Sequence, residues 1–234
     1  MIRNLWAEKA DICITNNYER RHNMKIITFY NNKGGVGKTT SVINAAYFLH
    51  KAGKKVLVVD CDRQSNSYRF FKGADELCSR YANIDVITYS GQDGGAFSLS
   101  DCNGYDYVIL DLPPALNDFT GKILSICDYV FVPIELGIFS IQGIPTVINA
   151  INQTSAKFGG CFVVKYHNAN PSDAALLELL EEQLGAKVLK TIIPFSRVVK
   201  NSISYGMTAA EYMHWMEAPV RYAKLTEEIV RICE

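Results

Sequence analysis

Short apolar runs alternate with segments of helical periodicity along most of this chain. Runs rich in β-branched and aromatic residues predict strands at 26–30, 56–59, 84–89, 105–111, 129–133, 161–166 and 188–193. Apolar positions spaced three or four residues apart predict helices at 41–50, 118–127, 142–158, 172–184 and 217–233. This alternation, with no linker and no internal repeat, predicts an α/β fold: a doubly wound, mostly parallel sheet flanked by helices.

Residues 1–23 do not share this pattern and contain few periodic apolar positions. Met24 begins the first predicted strand directly. We therefore expect residues 1–23 to be a loosely attached, disordered N-terminal extension, or sequence upstream of a natural start at Met24. Residues 24–234 are expected to form one domain.

A glycine-rich stretch separates the first predicted strand from the first predicted helix, and it reads Lys33-Gly34-Gly35-Val36-Gly37-Lys38-Thr39-Thr40. A strand, a glycine-rich loop and a helix together form the context of a phosphate-binding loop. Glycines let the backbone curl so that its N–H groups point inward, and the helix start adds its dipole. We expect Lys38 to reach the β- and γ-phosphates and the Thr39 hydroxyl to ligate Mg²⁺. Asn32 replaces the first glycine of the G-x-x-x-x-G-K-[ST] pattern, and asparagine tolerates unusual backbone angles.

Three aspartates lie at the ends of two predicted strands. Asp60 ends one apolar run, Asp62 follows two residues later, and Asp111 ends another. Ligands bind at the carboxyl ends of strands in open α/β sheets, and Mg²⁺ takes only one or two carboxylates while keeping several waters. We expect Asp111 to bind Mg²⁺ directly or through water, Asp60 to reach the same hydrated metal, and Asp62 to orient the attacking water. A single strand-end aspartate is more often a cap or a turn former, but three behind a phosphate loop favour function.

Several segments resemble the ParA/MinD family of dimerising P-loop ATPases. Lys33 stands where the signature lysine of the family's deviant Walker A motif stands. Residues 59–66 are similar to the family's D-x-D-P-Q-x-N segment, with Arg63 in place of proline, and residues 105–114 look like its Y-D-Y-x-x-x-D-x-P-P segment. Val132-Pro133 and residues 193–200 look like two later landmarks. The resemblance covers 24–234 as a P-loop ATPase domain and is greatest to the ParA (Soj-like) partition branch.

The resemblance implies an ATPase that uses ATP and Mg²⁺ and stays weakly active until a partner stimulates it. It also implies a homodimer with ATP between the subunits, in which Lys33 crosses to the partner's phosphates and Asp62 serves hydrolysis. A lysine that neutralises developing charge only after docking would couple hydrolysis to assembly, as an arginine finger does. Relatives read the adenine from places that correspond to Asn168, Pro194 and Phe195; core packing explains Phe195 equally well.

The cellular function differs between branches of this family, so the fold alone does not determine the function of this chain. The first hypothesis is a plasmid or chromosome partition ATPase that binds DNA non-specifically as the ATP dimer and is stimulated by a centromere-binding partner protein. Basic residues in the last quarter form either a phosphate-contacting face or a scattered solvated face: Lys187, Lys190, Arg197, Lys200, Arg221, Lys224 and Arg231.

Three other hypotheses remain open. A MinD-like positioning ATPase is disfavoured, because such proteins end in a basic membrane helix and the apolar residues of the last predicted helix here suit the core. An iron–sulfur carrier is disfavoured by the absence of paired cysteines. A scaffold that binds ATP with little turnover is disfavoured by the presence of Lys38, Asp62 and Asp111.

Composition says more about the cellular location of the protein than about its activity. The formal net charge is 0, so it indicates no nucleic-acid partner, although a local basic patch is compatible with it. The 7 cysteines are scattered without a C-x-x-C pair, which favours reduced thiols in the cytosol over a zinc site or disulfides. Glu8 and Asp11 interrupt any signal-peptide core, and no apolar run approaches the ~20 residues of a membrane span. We expect a cytoplasmic, nucleoid-associated bacterial protein with no membrane partner.

Overall fold

The computed structural model of the chain describes residues 24–73, 81, 84–89 and 99–234. The strands are β1 (Lys25–Phe29), β2 (Val56–Asp60), β3 (Ile84–Thr88), β4 (Tyr107–Asp111), β5 (Tyr129–Glu135) and β6 (Lys157–Val164). The helices are α1 (Lys38–Lys51), α2 (Asn66–Lys72), α3 (Asp118–Ile126), α4 (Ile138–Asn152), α5 (Pro171–Leu184), α6 (Arg197–Ser204), α7 (Ala209–Met213) and α8 (Glu217–Cys233). The extension expected at 1–23 lies outside the described residues.

The six strands form one sheet in the order β3-β2-β4-β1-β5-β6, and every strand pair is parallel. Successive residues of a strand face opposite sides, so Ile26 packs with α3, α4 and α5 while Ile27 packs with α1, α2 and α8. The central strands are buried on both faces, which explains their uninterrupted apolar sequences. The predicted doubly wound α/β fold is therefore confirmed. The strand order reverses beside β1, so the crevice of the fold opens at the end of β1.

The helix predicted at 142–158 is wrong at both ends. α4 begins at Ile138 and ends at Asn152, and β6 begins at Lys157. The Thr154 hydroxyl donates to the Ile151 carbonyl and accepts from the Ala156 N–H, which turns the chain out of the helix. The apolar residues after this turn belong to β6.

The strand predicted at 188–193 is also wrong. This segment runs beside β6 but is not a regular strand of the sheet. It makes two isolated bridges, Cys161 with Val188 and Tyr166 with Pro194. It also donates backbone hydrogen bonds from Leu189 to the Cys161 carbonyl and from Ile193 to the Val163 carbonyl. Between the bridges, the Glu228 carboxylate on α8 accepts from the backbone N–H groups of Lys190 and Thr191. A side chain therefore takes the Thr191 N–H, which lies between the Leu189 and Ile193 N–H groups that donate to β6.

Three short helices escape the periodicity analysis, and each is fixed by local hydrogen bonds. α6 starts at a Ser196 cap that accepts from the Val198 N–H, and α7 starts at a capping box made by Thr208 and Glu211. The third is α2, which is described with the site. No helix in the described part of the chain is long and apolar enough to cross a membrane.

Candidate nucleotide site

The loop between β1 and α1 has the backbone of a phosphate cradle. Gly35 and Gly37 have φ angles of 73° and 81°, in the left-handed region where a glycine is needed. Asn32 is not among the non-glycine residues of positive φ, which explains why the loop accepts a side chain there. The Asn31 side chain donates to the Pro133 carbonyl at 2.9 Å and accepts from the Lys33 N–H at 3.0 Å. Asn31, which the sequence analysis missed, thus ties the start of the loop to β5.

The two lysines of the loop occupy opposite environments. Lys38 is 7% exposed, and its Nζ donates to the Lys33 carbonyl at 3.0 Å. Burial lowers the pKa of the Lys38 ammonium, while the charges of Asp111 and Asp62 oppose that shift. Lys33 is exposed, and its Nζ donates to Ser140 Oγ on α4 at 3.0 Å. One ammonium therefore lies within the loop, and the other lies on its outer surface.

Asp60 and Asp111 are register partners at the carboxyl ends of β2 and β4, and both are buried. Thr39 Oγ1 donates to Asp111 Oδ1 at 3.2 Å. The other oxygen, Asp111 Oδ2, is buried without a hydrogen-bond donor among the described residues. Burial, followed by the charge of Asp60, raises the pKa of Asp111 to about 7. A carboxyl in this position takes either a proton or a cation.

Asp60 is more heavily bonded than the sequence analysis expected. Its Oδ1 accepts from the Asp62 N–H at 3.0 Å, and its Oδ2 accepts from Ser67 Oγ at 2.8 Å and from the Tyr68 N–H at 2.9 Å. These bonds hold the first turn of α2 against the end of β2. The oxygens of Asp60 thus already have protein partners, and its geometry suits contact with a hydrated metal through water rather than direct ligation.

Asp62 begins the turn that leads into α2. Its Oδ1 accepts from the Gln64 N–H at 3.0 Å, and its carbonyl accepts from the Ser65 N–H at 2.9 Å. The turn is closed by these bonds, so the exposed Arg63 does not need the rigidity of the proline in the D-x-D-P-Q-x-N segment that it resembles. Asp62 is only half-buried, and its negative charge opposes the lowering of the Lys38 pKa.

The residues expected near the adenine come together in space. Tyr166 bridges to Pro194, and the Phe195 N–H donates to the Tyr166 carbonyl at 2.8 Å. The Phe195 ring stacks on His167 with centroids 4.6 Å apart, next to the exposed Asn168. Phe195 is 52% exposed, so core packing is not the explanation for this residue. His167 was missed, because a lone histidine has no motif to mark it.

Lys165 is the third lysine at the loop, and nothing in the sequence marked it. It follows β6, and its Nζ donates to the Gly35 carbonyl at 2.8 Å and pairs with Glu135 Oε2 at 2.7 Å. The carbonyl that it holds lies 130 residues away in the chain, so only the fold brings the two together.

The structure divides the basic candidates among three elements. Arg197 and Lys200 are exposed on α6 and have no ion pair among the described residues. Arg221 pairs with Glu217 at 3.1 Å, and Lys187 lies over the Phe158 ring. Lys190, in the connection after α5, and Lys224 and Arg231, on α8, are exposed.

A family model described as an AAA domain matches residues 24–85 and 99–160, which is more than half of the chain. The chain belongs to the ParA/MinD family of P-loop ATPases. It is 27% identical to the chromosome-partitioning ATPase Soj of Treponema pallidum, over 88% of this chain and 97% of that protein. It is 28% identical to the chromosome-partitioning ATPase Soj of Thermus thermophilus, over 90% of this chain and 97% of that protein.

Among solved structures, the chain is similar to the septum site-determining protein MinD of Pyrococcus horikoshii, complexed with Mg-ADP. The TM-score is 0.74 at 18% identity, covering 90% of this chain and 97% of that one, which shows a shared fold. As a family member this protein is an ATPase, with ATP and Mg²⁺ as its cofactors. The described residues fit both, because the loop offers backbone N–H groups with Lys38, and the Thr39 hydroxyl bonds to a carboxylate, Asp111, whose second oxygen has no partner.

Proposed function

We propose that this ATPase is a dimerisation switch for plasmid or chromosome partition, in which two copies enclose ATP and the dimer binds DNA non-specifically. The carrying observation is the position of Lys33. Its ammonium lies outside its own phosphate loop, on Ser140, whereas Lys38 occupies the inside. An exposed lysine at the rim of the cradle is available to a second copy that docks against this face. The Soj relatives of similar length, described as chromosome-partitioning ATPases, support the partition role.

Within one subunit, each predicted site residue has a distinct task. The N–H groups of residues 34–39 and the Lys38 ammonium bind phosphate oxygens, with Lys38 exchanging the Lys33 carbonyl for a phosphate. Thr39 Oγ1 and Asp111 would hold Mg²⁺, and Asp60 would contribute through water. When bound, Mg²⁺ neutralises charge on the β- and γ-phosphates.

Hydrolysis requires two further groups. Asp62 accepts a hydrogen bond from the attacking water and orients it. Lys33 of one copy breaks its exposed and weak hydrogen bond to Ser140 and reaches the phosphates of the partner's nucleotide. Because this second positive charge arrives only on docking, turnover depends on assembly.

The DNA-binding role rests on α6. Arg197 and Lys200 lie about one helical turn apart, exposed and free of ion pairs in the described part of the chain, so both can contact phosphates. A centromere-bound partner protein that stimulates hydrolysis, and a location on the nucleoid in the cytoplasm, complete the proposal. The membrane-cycling alternative is not favoured, because Leu225 and Ile229 of α8 are buried against α1.

The deciding experiment is the light-scattering mass of the wild type with ADP and with a non-hydrolysable ATP analogue, each with and without duplex DNA. We expect a dimer only with the analogue, and binding of that dimer to DNA that weakens as salt rises. Lys38→Ala should abolish nucleotide binding and the dimer, while Lys51→Ala, on the exposed end of the same helix, should change neither. A dimer that ignores DNA would redirect the search to a protein or membrane partner. A monomer in every condition would remove the role given to Lys33.

A further inference from the structure

Two side-chain hydrogen bonds tie the phosphate loop to neighbouring parts of the structure. Asn31 fixes the beginning of the loop to the Pro133 carbonyl of β5. Lys165, just after β6, fixes the Gly35 carbonyl near the tip. Among the described residues, Lys165 makes the one side-chain hydrogen bond that reaches the backbone of residues 34–37.

The Lys165 contact determines a direction as well as a position. The described chain has no cis peptide bonds, so the carbonyl of Gly35 and the N–H of Val36 point to opposite sides of one planar peptide. An ammonium that holds the carbonyl on one side therefore aims the Val36 N–H to the other side. In a phosphate cradle that N–H is one of the donors that must face the phosphates.

The charge of Lys165 is already matched within the subunit. Its Nζ lies 2.7 Å from Glu135 Oε2, on the last residue of β5, and both side chains are about 40% exposed. The ammonium is thus oriented toward the carboxylate and the loop carbonyl at once, which favours a geometric role over a direct contact with phosphate.

The backbone at Lys165 is unusual. Its φ is 56°, in the left-handed region that non-glycine residues rarely adopt. Such a conformation persists where the surrounding structure determines it. Here Val164 pairs with Glu135 on one side, and Tyr166 bridges to Pro194 on the other.

We propose that Lys165 is a positioning residue of the phosphate site: it holds the Gly35 carbonyl so that the Val36 N–H faces the nucleotide, and it touches no phosphate itself. The inference rests on the phosphate-loop assignment made under the proposed function. On this proposal, Lys165 links the phosphate loop to the end of β6. The residues expected near the adenine begin just after that point.

The test compares Lys165→Met with Lys165→Arg, and with Lys122→Met as a control at an exposed lysine on α3. Titration calorimetry measures affinity for ADP and for a non-hydrolysable ATP analogue. Hydrogen exchange of the segment 34–37 is measured without nucleotide. We expect Lys165→Met to lower the affinity for both nucleotides equally, by about tenfold, because one charge-assisted hydrogen bond is lost. The same variant should speed hydrogen exchange of segment 34–37. Lys165→Arg should recover most of the affinity, since it keeps N–H donors.

Two results would overturn the inference. A much larger loss for the ATP analogue than for ADP would mean that Lys165 contacts the γ-phosphate directly. Wild-type affinity and wild-type exchange in Lys165→Met would mean that the loop does not need it. If the wild type bound no nucleotide, the phosphate-loop assignment would fail instead, and the exchange measurement, which needs no ligand, would still decide whether Lys165 holds the loop.

Lys165→Gly separates a positioning role from a general effect on stability. Glycine adopts the left-handed backbone freely, so this variant should melt at a temperature above that of Lys165→Met. It should nevertheless bind ADP as weakly as Lys165→Met does, because the hydrogen-bond donor to the Gly35 carbonyl is gone. Wild-type ADP affinity in Lys165→Gly would contradict the proposal, even if Lys165→Met failed to fold.

Discussion

Thr39 Oγ1 lies 3.2 Å from Asp111 Oδ1, which joins the first turn of α1 to the end of β4. The second carboxyl oxygen of Asp111 is buried with no donor in the described part of the chain. Without metal, protonation of the Asp111 carboxyl would remove the cost of a buried unpaired charge. With metal, Mg²⁺ would balance that charge instead. We therefore expect this pair to make the stability of the nucleotide-free protein sensitive to pH and to make nucleotide binding dependent on a cation.

Asp111→Asn should abolish a pH dependence of stability in the nucleotide-free protein. The pKa of Asp111 is raised from 3.8 to about 7 in the fold, so between these values the folded state binds more protons than the unfolded state. Wild-type stability should consequently fall as pH rises from about 4 to about 7. The asparagine variant should be more stable at pH 8, by up to roughly 4 kcal/mol on the scale of 1.36 kcal/mol per pKa unit.

Urea unfolding in EDTA from pH 4 to 8 measures this difference, with Asp118→Asn, at an exposed aspartate on α3, as the control. The asparagine variant should also lose most of the stabilisation that Mg-ADP gives the wild type. Equal pH slopes in wild type and Asp111→Asn would contradict the role of burial.

Asp62→Ala should keep ATP binding and slow hydrolysis, trapping the proposed dimer. The carboxylate also closes the turn to Gln64, so loss of the turn must be separated from loss of the base. Asp62→Asn keeps an Oδ1 acceptor for that N–H and removes the charge. If both variants slow phosphate release by about 10²-fold or more, the carboxylate acts on water. Slowing in the alanine variant alone would assign Asp62 to the turn, and wild-type turnover in both would exclude it.

Replacing Arg197 and Lys200 together by alanine should weaken DNA binding by the ATP dimer. Each phosphate contact contributes about 0.9 to the slope of log affinity against log salt, so the slope should fall by about 2. Arg221→Ala is the matched control, because Glu217 already neutralises that side chain. Filter binding at several salt concentrations measures the slopes. A larger effect from Arg221→Ala would move the DNA face to α8.

Phe195→Ala should weaken ADP binding while leaving the binding of tripolyphosphate unchanged. Phe195 is about half exposed and its ring stacks on His167, so we expect a base to pack against this aromatic pair. We expect a loss on the order of 1 kcal/mol, seen by calorimetry with both ligands. Tyr205→Ala, at another exposed aromatic residue, should change neither. An equal loss for ADP and tripolyphosphate would indicate damage to the loop.

The sequence predicted those parts of the site that are formed by residues close together in the chain. The phosphate loop carries its own glycines and lysines, and strand ends were visible because buried parallel strands are apolar throughout. Asp60 and Asp111 follow such strands, so their meeting at one edge of the sheet could be expected. Their roles toward a metal stay predictions.

The parts that could not be predicted depend on contacts between distant residues. Glu228 of α8 takes two backbone donors from an apolar segment that reads as a strand, and no local pattern announces this. The hydroxyl turn at Thr154 divides one apolar stretch between a helix and a strand. Lys165 reaches Gly35 only because β6 ends beside the loop.

The packing of α1 on α8 also sets an order of events during synthesis. The helix that begins at Lys38 buries Val42 and Leu49 in the same cluster as Leu225 and Ile229 of α8. Because α8 leaves the ribosome last among these elements, the helix that supports the phosphate loop stays uncovered until α8 has emerged. We expect the nascent chain to acquire nucleotide binding only after that point, so that a chain still lacking α8 does not compete for ATP.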